Sequence, residues 1–159
     1  MPVGADDLER VYRAEFTTMA QTAAGILNDA QAGYDVVQSA FVKALDKLST
    51  FRGHGNLSAW VWAIVVNEAR SAMRRAPATV FHDEVATEDA YSATAQVAEI
   101  RERIAALPER QRTAIFLRYY ADLPNTQIAQ LLGIRPGTVG ALLSQGHAAL
   151  RTILREVVE

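Results

Sequence analysis

The stretch NTQIAQLLGIRPGTVGALLS, residues 125–144, decides how this chain is read. Counted from Asn125, a small residue (Ala129) falls fifth, a glycine (Gly133) ninth, and apolar residues (Val139 and Leu142) fifteenth and eighteenth. Ala129 allows two helices to approach closely. Gly133 supplies the left-handed conformation that ends the first helix. Pro136 stands at the start of the second, where its missing N–H costs nothing. Val139 and Leu142 are expected to turn the second helix inward onto the first. The pattern is that of a helix-turn-helix, whose second helix enters the major groove in DNA-binding modules. The same run holds a contradiction: no Lys or Arg stands between Arg135 and Arg151. Groove-reading helices ordinarily carry cations for phosphates and bases.

Outward from this motif, the 159 residues are enough for one domain or two small ones. There is no cysteine, which excludes disulfides and thiolate metal sites and fits a reducing cytoplasm. The histidines His54, His82 and His147 are scattered and make no ligand spacing, so no metal is expected. No apolar run would span a bilayer and no secretory leader is read at the start, so a cytoplasmic location without membrane insertion is expected. Net charge is −2, but it is unevenly spread. Residues 1–76 are neutral, residues 77–99 carry −5 with no basic residue, and residues 100–159 carry +3. Mild acidity therefore does not argue against nucleic acid.

Apolar residues recur at helical spacing from Leu8 to Leu27 and again from Asp35 to Leu48, there with Val37, Ala40, Phe41, Ala44 and Leu45 on the apolar face. Gly53, Gly55 and Asn56 break the pattern, and Asn56 or Ser58 can cap the next helix, Ala59 to Arg75. Pro77 stops it. Residues 77–95 lack a sustained period and read as an acidic linker. Val97, Ile100, Ile104 and Leu107 restart a helix, Pro108 begins another with Ile115, Phe116, Leu117 and Tyr119 or Tyr120 inside, and Ala148 to Val157 completes the last. The fold expected is all-α: two small helical domains, residues 1–76 and 96–159, joined by a flexible linker, the second containing the helix-turn-helix.

The run Leu107-Pro108-Glu109-Arg110-Gln111-Arg112, then Leu117-Arg118-Tyr119-Tyr120, Ile128 to Ile134 and Gly137-Thr138-Val139, resembles the C-terminal promoter-binding domain of bacterial sigma factors. The likeness is greatest to the extracytoplasmic-function (ECF) group. The first half matches independently, through Asp35-Val36-Val37-Gln38 with Phe41, Phe51-Arg52-Gly53, and Trp60, Ile64, Asn67 and Arg74-Arg75. The resemblance covers nearly the whole chain. It implies a transcription initiation factor that binds core RNA polymerase, directs it to promoter DNA and helps melt it. An anti-sigma factor is implied as a further partner.

Residue by residue, the resemblance places Asp35, Gln38, Phe41 and Val42 against core polymerase, with Ser39 standing where the family usually has an acid. It places Arg52, His54, Asn56, Ser58, Asn67, Arg70, Arg74 and Arg75 on the promoter element near −10, where a melted strand needs a base pocket and cations along its phosphates. Trp60 and Trp62 are candidates for base stacking, though so apolar a stretch more often builds core. For the −35 element it leaves Thr126, Arg135, Pro136, Gly137, Thr138, Gly140, Ala141, Ser144 and Gln145. The residues show no nucleophile–base pair, carboxylate dyad or phosphate loop, so no catalytic site, cofactor or small-molecule substrate is expected.

The bare recognition helix leaves three readings open: binding to DNA by shape and backbone, little DNA role with polymerase supplying the anchorage, or a sigma-like decoy that binds an anti-sigma factor. A stand-alone helix-turn-helix regulator is a further alternative, against which the matches in the first half speak.

Overall fold

The computed structural model describes residues 3–53, 56–75 and 91–158. Helices α1 (Ala5–Leu27), α2 (Ala30–Lys47) and α3 (Leu57–Arg75) form the first of two compact units, residues 1–78. The second, residues 79–159, holds α4 (Tyr91–Ala105), α5 (Glu109–Ile115), α6 (Asn125–Leu132) and α7 (Pro136–Val158). No strand occurs among the described residues, and none of their helices is long and apolar enough to cross a membrane. Most of the expected linker lies outside the described residues. Its last five positions do not behave as linker, because α4 already begins at Tyr91.

In the first unit, short polar side chains set the helix ends. The Asp7 carboxylate accepts the Gly4 N–H at 2.9 Å, and Asn28 ends α1 in the left-handed conformation with φ 54°. Asp29 Oδ1 accepts the Ala32 N–H at 3.0 Å to start α2. Asn56 Oδ1 accepts the Ser58 N–H at 2.9 Å, which makes Asn56 rather than Ser58 the cap of α3. Between these ends the helices bury Met19, Ala23, Ile26, Val37, Ala40, Phe41, Ala44, Val61, Trp62, Val65 and Val66. Gly33 brings α2 against the backbone of α1: a Cβ there would lie 2.4 Å from the Ala24 nitrogen.

The second unit is tied by an arginine. Arg112 is buried, and its guanidinium donates to the carbonyls of Ala105 and Leu107 (the latter at 2.9 Å), which closes the turn between α4 and α5. Burial lowers its pKa from the ordinary arginine value, partly opposed by Glu109. After α5 the chain winds a π turn over Phe116–Tyr120. The wider turn takes Tyr119 and Tyr120 off the buried stripe: both are half exposed or more, although the sequence pattern places one of the two inside. The helix-turn-helix forms as expected. Gly133 ends α6 with φ 66°, the Ile134 N–H donates to the Ala129 carbonyl at 3.0 Å, and Pro136 is the first residue of α7. One inward residue differs. Val139, Leu143 and Gly146 make the buried line of α7, and Leu142 sits only partly covered at its border. The spacing of three and four residues among 139, 143 and 146 is the physical period of the helix.

Candidate nucleic-acid and polymerase interfaces

On α2 the sequence-selected residues divide. Asp35 is exposed, with its Oδ1 accepting from Gln31 Nε2 at 2.9 Å. Val42 is 61% exposed. Phe41 is different. It is 7% exposed and meets Tyr12 edge-on with ring centroids 4.9 Å apart, so it belongs to the core and cannot lie on a docking surface. The reason is helical phase: Phe41 is one residue past Ala40 on the inward stripe with Val37 and Ala44. Leu45 errs in the opposite sense, being 56% exposed rather than core. With Tyr34 at 46%, it adds apolar surface to the stripe of Asp35, Ser39 and Val42. Sequence reasoning missed Tyr34 and Leu45 as exposed apolar residues; the run of four- and three-residue steps from 35 through 39 and 42 to 45 is the signal that could have found Leu45, and the four-residue step from Tyr34 to Gln38 the signal for Tyr34.

Gln38 is half-buried and held at both of its amide protons. Its Nε2 donates to Tyr12 Oη at 3.1 Å and to Tyr34 Oη at 3.0 Å. The carbonyl end of that amide is therefore set in one orientation by two aromatic residues, themselves packed with Phe16.

At α3, Arg52, Asn56, Asn67, Arg74 and Arg75 are exposed, while Ser58 and Arg70 are half-buried. His54 lies outside the described residues. Asn56 already spends its Oδ1 on the helix cap. The tryptophans separate as their positions demand. Trp62 is 1% exposed and donates its Nε1–H to Glu15 Oε1 at 3.3 Å, so it cannot stack on a base. Trp60 is half-buried against Phe51, with ring centroids 5.3 Å apart.

In the second unit, Thr126, Arg135, Pro136, Gly137, Thr138, Ala141, Ser144 and Gln145 are exposed, and Gly140 is half-buried. Gln145 Oε1 accepts from Gln111 Nε2 at 3.1 Å. The two interior glycines of α7 have different causes. A Cβ at Gly140 would meet open space, whereas at Gly146 it would come within 2.4 Å of Ile115 Cδ1. Gly146 is thus a packing residue between α5 and α7, and Gly140 has no packing reason. Three side chains not selected from the sequence flank α7 or its neighbouring turn. Tyr119 lies with its ring 5.1 Å from that of His147, Arg118 sits over the Tyr119 ring at 5.9 Å and within 3.5 Å of Asp122, and Gln111 holds Gln145.

Comparison with known proteins gives these surfaces their context. The family model described as Sigma-70 region 2 matches residues 11–79, and that described as Sigma-70, region 4 matches residues 98–150. The RNA polymerase sigma-H factor of Pseudomonas aeruginosa is 31% identical over 82% of this chain and 79% of its own length. The ECF RNA polymerase sigma-E factor of Escherichia coli K12 is 31% identical over 73% of this chain and 70% of its own length. The chain belongs to the ECF sigma factors. Its other relatives include the ECF RNA polymerase sigma factor SigW of Bacillus subtilis, 25% identical over 95% of this chain and 89% of its own. Among solved structures, CnrH in complex with the cytosolic domain of CnrY shares the fold, with TM-score 0.77, 20% identity and coverage of 96% and 90%. So does the sigma factor RpoE of Bartonella quintana in complex with the anti-sigma factor NepR, with TM-score 0.75, 24% identity and coverage of 95% and 98%. As a member of this family the sigma factor is a DNA-binding protein of transcription initiation, and both halves of the expected resemblance are borne out.

Proposed function

We propose that this sigma factor works in the cytoplasm by docking α2 on core RNA polymerase through Asp35, Gln38, Val42, Tyr34 and Leu45. The observation that carries this is the exposed stripe itself, in which apolar side chains alternate with an acid on one face of a helix whose other face is fully committed to the core. Core docking then brings residues 52–58 and the Asn67, Arg70, Arg74 and Arg75 end of α3 to the −10 element. There, the arginines hold phosphates of the opened strand. The exposed residues of α6 and α7, from Thr126 to Gln145, meet the −35 element. With Arg135 as their cation, they do so by backbone approach and by polar side chains; Gln145 has the amide that can read adenine. The protein performs no chemistry of its own and needs no cofactor, metal or small-molecule substrate. The two compact units serve as the −10 and −35 domains, and an anti-sigma factor is a natural regulator because similar structures hold such partners.

The lack of cations on α7 from Pro136 to Leu150 favours a second reading, a decoy that binds an anti-sigma factor and never initiates. Run-off transcription with purified core enzyme on fragmented genomic DNA separates the two. The main reading expects discrete transcripts that depend on the added protein. No transcript on any template, together with tight binding of an anti-sigma domain, would establish the decoy.

A further inference from the structure

The cleft between α2 and α3 holds more positive charge than its scaffold requires. Among the described residues its walls are Lys43 from α2 and Glu68, Ser71, Arg74 and Arg75 from α3, so that three cations face one anion there. The anion is already engaged, because Lys43 Nζ and Glu68 Oε1 are bonded. The two partners differ in cover: the Glu68 side chain is 15% exposed and that of Lys43 52%. A carboxylate recessed in this way anchors the ammonium at the cleft mouth and leaves part of its surface open to solvent. Arg75 donates its Nε–H to the Ser71 carbonyl at 3.3 Å, which ties its guanidinium back along the helix, and Arg74 is exposed beside it. The carbonyl end of α3 repels anions through the helix dipole, so whatever anion enters is held by side chains alone.

We infer that this cleft seats a phosphodiester of the unpaired DNA strand, with Lys43 as a contact beyond Arg74 and Arg75 and Glu68 as its built-in counter-ion. The inference rests on the proposed strand-binding role of the α3 end and extends it across to α2. Single-stranded DNA is the occupant because the cleft continues the face of Asn67, Arg70 and Arg74, and because paired guanidiniums with an ammonium match phosphate oxygens in charge and donor number. In the free protein Glu68 holds Lys43 and tempers its pull on anions. When a phosphate arrives, the ammonium serves both oxygens.

The test is binding of the full-length protein to a short single-stranded DNA of mixed sequence, followed by fluorescence anisotropy across a salt series. Lys43→Gln is expected to weaken binding and to flatten the plot of log affinity against log salt by about 0.7, the value for one phosphate contact on a single strand. Lys43→Arg keeps the slope. Glu68→Gln, nearly isosteric, raises affinity about threefold at low salt, a size typical of an exposed ion pair. That gain disappears in the Lys43→Gln background. If Arg74→Ala flattens the slope and Lys43→Gln does not, the cleft assignment is overturned while the strand-binding face stands. If neither changes it, both readings fall. A Lys43-dependent preference for polyglutamate over DNA would also overturn the assignment, in favour of an acidic protein partner. Thermal melting by circular dichroism of each variant guards the comparison, and Lys43→Arg keeps it decisive should Lys43→Gln fold poorly.

Discussion

Helices α3 and α7 are each assigned to promoter DNA, and they present opposite chemistry. The end of α3 offers Arg70, Arg74 and Arg75 within two turns, with Lys43 across the cleft. From Pro136 to Leu150, α7 offers no cation, and a glycine (Gly140) where neither packing nor backbone geometry requires one. The difference teaches where binding energy resides. Phosphate contacts supply most of the sequence-independent hold on DNA, so under the proposed function the first unit is expected to grip and the second to contribute selectivity with little grip. A helix that reads by close backbone approach gains from small residues, and the loss of helix propensity at Gly140 is tolerable because Val139, Leu143 and Gly146 pin α7 from the other side.

The scaffolds beneath these two surfaces also differ, and the largest expected effect breaks that pair apart. Gly33→Ala drives a methyl group into the Ala24 backbone, which cannot move aside without parting α1 from α2. A loss of about 3 kcal/mol or more is expected, seen as a large fall in the urea midpoint. The equivalent change in the second unit, Gly146→Ala, meets the Cδ1 and Cγ1 atoms of the Ile115 side chain rather than backbone. It should cost well under half as much.

Next in size is the docking stripe. Asp35→Arg with Val42→Asp inverts one charge and places another on the exposed apolar centre of α2. Core polymerase affinity is expected to fall by about 2 kcal/mol, the scale of an interface hot spot, with the melting temperature nearly unchanged. Titration of labelled core enzyme measures it. Tyr12→Phe sharpens the same point, because it removes one of the two acceptors that orient Gln38 while leaving the aromatic packing in place. A drop of about threefold in core affinity is expected, the size of one modest hydrogen bond.

Smaller effects concern the bare helix. Gly140→Lys with Gln145→Arg adds two cations to the exposed face of α7. Affinity for any duplex should rise, with the salt slope steepening by about 0.9 for each phosphate gained, as filter binding would show. Gly140→Ala alone should stabilise the protein by about 1 kcal/mol through helix propensity, since nothing obstructs its methyl group.

Much of this arrangement is legible in the sequence because it is locally encoded. Gly133, Pro136 and Asn56 each act within a few residues of themselves, and each stands where local chemistry places it. The exposed residues of the recognition surface follow from the same period. Two misreadings share one physical origin, since helical periodicity alone leaves the buried stripe uncertain by one position: Leu45 was expected inside, and Leu142 was expected where Leu143 packs. Phe41 differs, because its period put it on the apolar face and only the family resemblance set it against polymerase. Tyr119 and Tyr120 escape the pattern because the π turn changes the period under them. Contacts across elements were not legible at all. Nothing near Gly33, Gly146, Lys43 or Glu68 in the chain announces Ala24, Ile115 or a shared cleft, since those neighbours are set by packing between helices.

The most direct test of the contrast between α3 and α7 removes equal charge from each unit. Open-complex formation by core enzyme with this sigma factor would be followed by permanganate reactivity of the opened strand over a range of salt. Arg74→Ala with Arg75→Ala is expected to abolish most strand opening and flatten its salt dependence, whereas Arg151→Ala with Arg155→Ala on α7 leaves opening close to that of the unaltered protein. Normal opening in the first variant and a collapse in the second would contradict the account, placing the grip on DNA in the second unit.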